Sequence, residues 1–132
     1  MRVVPDTNVL ISALFWGGGP RQVVDLAAAG HFQAVTSPGL LAELEAVLSE
    51  DFGVPREQVD LVLRDVLSYA EVVAPAEGVS VSLRDQDDVK VVACGIGGRA
   101  DYVVTGDRAL LALAEVEGIR VLTVREFLGI CR

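Results

Sequence analysis

DDVKVVACGIGGRADYVVTGD, residues 87–107, reads as a buried helix, a double-glycine break, a Val-rich strand and an acid just beyond the strand's end. Val91, Val92, Ala93, Cys94 and Ile96 make the first part apolar nearly all round, as in a helix covered by other layers. Gly97-Gly98 closes that helix. The run DYVV (101–104) does not alternate between polar and apolar, which suits a strand covered on both faces. Asp107 stands where this strand gives way to the next helical stretch.

The same alternation runs along the rest of the chain. Strands are expected at RVVP (2–5), QAVT (33–36), EVVA (71–74), DYVV (101–104) and RVLT (120–123). Helices are expected over 7–14, 20–29, 38–49, 56–69, 86–97, 108–117 and 124–129. Short β-branched runs separated by helices indicate a doubly wound parallel sheet with right-handed crossovers. Pro20 after three glycines fits the first turn of a helix, Gly30 ends that helix, and Ser37 caps the next with Pro38 inside it. Pro55 precedes an amphipathic helix whose face is Val59, Val62, Leu63, Val66 and Leu67. No internal repeat, low-complexity tract or linker interrupts the pattern, so residues 1–132 are expected to form one domain.

In such a sheet the C-terminal ends of the strands share one edge, and ligands bind there. Asp6 ends the first apolar run, Asp107 follows a later one, Asp88 opens the buried helix, and Glu43 and Glu45 lie on a helix between. Carboxylates gathered at one edge repel one another, and such a cluster serves to hold a hard divalent cation, Mg²⁺ first. Each acid also has an ordinary explanation. Asp6 and Asp107 are N-cap residues by type and position. Asp85, Asp87 and Asp88 complement a helix dipole, and Asp85 with Asp88 has capping-box spacing. Glu43 and Glu45 flank the apolar face of their helix symmetrically, so periodicity does not choose between them. Asn8 is placed to orient the Asp6 carboxylate. His31 reads as a solvated residue at a helix end, and GIGG (95–98) is no phosphate loop, because it ends a helix rather than opening one.

Composition narrows the classes. The chain is 52% hydrophobic and 23% charged, a packed globule rather than a disordered segment. No apolar stretch approaches the ~18 residues that span a bilayer, and MRVVPDTN lacks a signal-peptide core; a cytoplasmic protein away from membranes is expected. Cys94 and Cys131 have no metal-ligand spacing and read as small hydrophobes. Net charge is −8, and Lys90 is the sole lysine. That balance speaks against a generic basic nucleic-acid-binding face.

DTNVLISALFWGGGP (6–20), SPGLLAELEAVL (37–48) and DQDDVKVVACGIGGRADYVVTGD (85–107) together resemble the motifs of PIN-domain nucleases. More narrowly, they resemble the VapC-like ribonucleases that form the toxin components of bacterial toxin–antitoxin pairs. The resemblance covers nearly the whole chain. It implies a three-layer PIN-like α/β fold with a five-stranded parallel sheet of order 3-2-1-4-5, flanked by helices. It also implies that Asp6, Glu43, Asp88 and Asp107 form the catalytic, metal-binding quartet, choosing Glu43 over Glu45 and Asp88 over Asp87. The implied activity is endonucleolytic hydrolysis of RNA phosphodiesters with one or two Mg²⁺ or Mn²⁺ ions. RNA is the implied substrate, with a small antitoxin protein and a second copy of the chain as partners to look for. Thr7, Asn8 and Thr105 are then expected to orient these acids or to touch phosphate. Arg21, Arg99 and Arg108 are the basic residues nearest the expected edge in sequence.

Two other readings compete. A receiver-like phospho-acceptor domain also gathers acids at strand ends, but it wants a lysine at the end of a late strand, and Lys90 falls inside a helix. A non-catalytic interaction module on the same fold would use Phe15-Trp16, before the three glycines, as a binding loop.

Overall fold

A computed structural model describes residues 1–131. The chain forms β1 (Arg2–Pro5), α1 (Thr7–Phe15), α2 (Gly18–Ala28), β2 (Gln33–Thr36), α3 (Pro38–Ala46), a π-helical turn (Val47–Asp51) and α4 (Arg56–Tyr69). β3 (Ala70–Val72), α5 (Gln86–Gly97), β4 (Tyr102–Val104), α6 (Arg108–Leu113), β5 (Glu115–Val116), β6 (Ile119–Leu122) and α7 (Val124–Ile130) follow. The sheet order is β3-β2-β1-β4-β6-β5, with every pairing parallel except β5 with β6. The five parallel strands thus take the expected order 3-2-1-4-5, with β6 as the fifth.

The sixth strand corrects the helix expected over 108–117. That helix stops at Leu113, and β5 pairs with β6 through the two-residue turn Glu117-Gly118. Both turn residues have positive φ, 50° and 79°, the geometry of a type I′ hairpin. Val116 and Ile119 pack onto the core from this hairpin, so tertiary burial outweighs the helix propensity of ALAEVE. The end of the expected helix 38–49 is likewise replaced by the π-helical turn.

Burial explains why the strands do not alternate. Val4 packs with Val35, Val91, Val92 and Val103 on one face, beneath α5 and the start of α3. Val3 packs with Val23, Phe32, Ala34, Leu122 and Phe127 on the other, against α2 and α7. Strands covered twice are apolar at successive positions. A third cluster joins Ile11 of α1 and Leu44 of α3 to Val59 and Val66 of α4. Val62 and Leu63 border it, whereas Leu67 is exposed and falls outside the apolar face expected for that helix.

Local signals set the helix starts on the ligand edge. The Leu40 N–H donates to Ser37 Oγ at 3.3 Å, with Pro38 in the first turn of α3. α5 returns the chain to the N-terminal edge before β4, so its own N-terminus points to the C-terminal edge of the strands. Cys94 is buried in α5, its thiol pushed up to about 11 by that burial; Cys131 is only half-buried, and both are free thiols. No helix among the described residues is long and apolar enough to cross a membrane.

Candidate metal centre at the strand edge

Asp6 leaves β1 and caps α1. Its Oδ1 accepts the Thr7 N–H at 2.7 Å, and its Oδ2 accepts the Thr105 hydroxyl at 2.7 Å. Thr105 is fully buried, and its Oγ1 accepts the Asp107 N–H at 3.0 Å. One threonine therefore ties the end of β1 to the end of β4. Asp107 caps α6 with one oxygen only: Oδ1 accepts the N–H groups of Ala109 and Leu110 at 2.8 and 3.1 Å. The capping explanation and the cluster explanation hold together: Asp107 caps with one oxygen only, and Asp6 caps with one while the other holds Thr105.

At the N-terminus of α5 the acids divide the work. Asp85 is the cap, accepting the Asp87 N–H at 2.9 Å. Asp88 is freed from capping and is only 7% exposed. Burial first, then the charges of Asp107, Asp85 and Asp6, push its carboxyl up to about 6.

α3 resolves what periodicity left open. Glu45 turns to α4 and pairs with Arg56 at 2.7 Å. Glu43 turns to the acids: burial, then Asp87 and Asp6, push it up to about 7, while the Thr7 hydroxyl and Lys90 pull it down. Its Oε2 is buried and has no hydrogen-bond partner. A buried unpartnered carboxylate oxygen is costly, and such an atom marks a place where a ligand or ion completes the structure.

Asp6, Glu43, Asp88 and Asp107 are thus brought to one edge, with Thr7 and Thr105 among them. The other expected contacts fare differently. Asn8 is exposed and makes no hydrogen bond to Asp6; the Thr7 backbone and the Thr105 hydroxyl orient that carboxylate instead. Arg99 lies before β4 at the opposite edge, beside Gly98, whose carbonyl accepts Arg2 Nε at 2.8 Å. Arg21 is taken up by Asp25 on its own helix at 3.1 Å. Arg108 is exposed next to Asp107.

Two residues set aside on sequence belong here. Asp87 is exposed, yet its charge raises both Glu43 and Asp6. Lys90, one turn on, holds Asp87 Oδ1 at 3.2 Å and draws Glu43 down. Their (i, i+3) spacing was the available signal. On the other flank, a cleft of about 630 Å³ is lined by Arg84, Asp85, Asp88 and Asp107 with Leu83 and Leu113. Farther off, Phe15, Trp16 and Phe52 form an exposed aromatic trio, with Phe15 and Phe52 stacked at 4.6 Å and Trp16 70% exposed.

The donors suit a hard cation, because all are carboxylate oxygens and none is His or thiolate. Among the described residues no three Asp, Glu, His or Cys side chains are close enough to close on one ion as they stand. The cluster is therefore an electrostatically coupled set rather than a finished cage, and the unpartnered Glu43 Oε2 is the observation that fits an ion to it.

The pH dependence follows in sign. Asp6, Glu43 and Asp88 are all raised, by burial first. A raised carboxyl holds its proton more tightly folded than unfolded, so stability is complete below the unfolded value. It is lost as pH rises through the folded one, here from 4.5 to about 7 for Glu43 and from 3.8 to about 6 for Asp88. Metal-free protein in EDTA is expected to melt at a higher temperature near pH 5 than near pH 8, by calorimetry. A melting temperature that climbs across this interval would show that the carboxylates are not crowded.

A chain of the VapBC2 complex from Rickettsia felis, crystallised with a DNA fragment from its promoter, is similar in fold. The two share 17% identity and a TM-score of 0.67, over 93% of this chain and 98% of that one. No curated protein sequence matches significantly. The family model described as PIN domain matches residues 2–109, which contain all four acids, and the chain therefore belongs to the PIN domain family.

Proposed function

We propose that the protein is a metal-dependent endoribonuclease that hydrolyses RNA phosphodiester bonds, and that it acts in the cytoplasm as the toxin of a toxin–antitoxin pair. The observation that carries this reading is Glu43 Oε2, buried without a partner beside Asp6 in a cluster with Asp88 and Asp107. Membership of the PIN domain family and a fold shared with the VapBC2 chain support it. The partner in that complex suggests a small antitoxin protein for this chain as well.

Asp6, Glu43, Asp88 and Asp107 would hold one or two Mg²⁺ or Mn²⁺ ions. When bound, such an ion lowers the pKa of water and offsets charge on the phosphate. The chain's own groups prepare the site. Thr105 and the Thr7 N–H fix both oxygens of Asp6 before anything binds. The α6 N–H groups fix Asp107 through Oδ1 and leave Oδ2 for the site. The N-terminus of α5 brings its positive dipole end to the same place. No Ser, Cys or His nucleophile stands among these acids, so attack at phosphorus falls to water.

A thermal-shift titration paired with a cleavage assay tests this. Millimolar Mn²⁺ is expected to raise the melting temperature over EDTA by roughly 5 °C or more, through binding to the folded state alone. Single-stranded RNA is expected to be cut only with the metal. Asp6→Asn should shrink the thermal shift. Identical melting in EDTA and Mn²⁺, with no cleavage, would favour the second reading, a non-catalytic interaction module. The exposed trio Phe15, Trp16 and Phe52 is the observation on that side.

A further inference from the structure

The nuclease reading leaves a physical difficulty: net charge is −8, and the site gathers like charges where a polyanion must approach. Four of the arginines are committed or misplaced. Arg56 holds Glu45 and Asp60, Arg21 holds Asp25, and Arg2 and Arg99 lie at the opposite edge. Arg84 lines the cleft with Asp88 and Asp107 on the other flank, and on the α3 flank Lys90 is the basic group that draws Glu43 down.

Its placement suits exchange. α5 carries Lys90 on the side facing α3, where its stem passes Gly39: a Cβ added at Gly39 would stand 3.7 Å from Lys90 Cδ. The ammonium rests on Asp87 Oδ1 at 3.2 Å, and both side chains are about half exposed. A solvated pair of this kind contributes little to stability. A phosphate oxygen can therefore replace the carboxylate at little cost, through a charge-assisted hydrogen bond. Lysine, a flexible point charge with three donors, is suited to such a change of partner.

We propose that Lys90 is the phosphate-holding residue of the site: on binding, its ammonium leaves Asp87 for a non-bridging phosphate oxygen of single-stranded RNA beside Glu43. This rests on the nuclease reading above. Lys90 then fixes the strand on the α3 flank of the acids, and Asp87 serves as its resting place.

The experiment compares wild type, Lys90→Ala and Lys90→Arg. It measures anisotropy of a short labelled single-stranded RNA with Ca²⁺ across a salt series, cleavage kinetics with Mn²⁺, and the Mn²⁺-induced thermal shift. Lys90→Ala is expected to weaken binding and raise KM about tenfold with little change in kcat. The slope of log affinity against log salt should shrink by about 0.7, one single-strand phosphate contact. Lys90→Arg should recover most of the binding, and the thermal shift should persist in both variants. If wild type binds and cuts while Lys90→Ala matches it in affinity and slope, the Lys90 assignment falls and the nuclease reading stands. A lowered melting temperature with unchanged affinity would reduce Lys90 to a structural partner of Asp87. If wild type neither binds nor cuts, the nuclease reading falls and takes the Lys90 assignment with it.

Discussion

Glu43→Gln is expected to lose roughly 10³-fold or more in RNA cleavage, whereas Glu45→Gln changes it by no more than about threefold. The two glutamates are two residues apart on α3 and differ only in what packing makes of them. Glu43 carries the buried, unpartnered Oε2 beside Asp6, and Glu45 is spent on Arg56. The amide is close to isosteric, so the fold should persist. Removing a crowded negative charge should raise the metal-free melting temperature near pH 8 while abolishing much of the Mn²⁺ response. Asp88→Asn should behave alike. Asp87→Asn should keep most of its turnover, because Asp87 is exposed and acts through charge and through Lys90. Equal losses at Glu43 and Glu45, measured as kcat/KM, would show that the quartet is assigned wrongly even if the enzyme is a nuclease.

Gly97→Ala is expected to destabilise the protein by about 3 kcal/mol or more, or to prevent folding. A Cβ at Gly97 would stand 2.1 Å from the carbonyl oxygen of Ala74 and 2.9 Å from the Ala76 nitrogen, backbone atoms that a rotamer change does not move. The end of α5 is the seat of the segment that follows β3, and the Ala76 N–H reaches Ala93 O at 2.9 Å. That segment goes on to Arg84 and Asp85 beside the acids, so a milder loss of seating should appear as lost cleavage. Gly129→Ala is the control: it sits in α7 with nothing within 4 Å of the added atom. There alanine should stabilise by ~0.5–1 kcal/mol. Urea denaturation of the two variants decides the matter, and a Gly97→Ala protein as stable as wild type would mean that the segment packs elsewhere.

Much of this was legible in the chain because it rests on local rules. Val-rich runs such as RVVP mark strands covered on both faces, and Ser37, Pro38 and Gly97-Gly98 mark helix ends within a residue or two of where they fall. The motif resemblance supplied the strand order and named the four acids, which the sheet edge brings together. What the chain did not reveal depends on contacts between distant segments. Glu43 and Glu45 are equivalent by helical period, and only the neighbours of α3, Asp6 on one side and Arg56 on the other, separate them. Asn8 is next to Asp6 in sequence but exposed, whereas Thr105, 99 residues away, holds its carboxylate. Arg99 is close to β4 in sequence and on the wrong edge, because a strand separates its two ends in space. The hairpin of β5 and β6 replaced a helical turn, since Val116 and Ile119 gain burial that only the assembled core offers. Sequence periodicity reports which side of an element is apolar. Which polar group meets which is decided when the elements pack, and the chemistry of this site lies in those meetings.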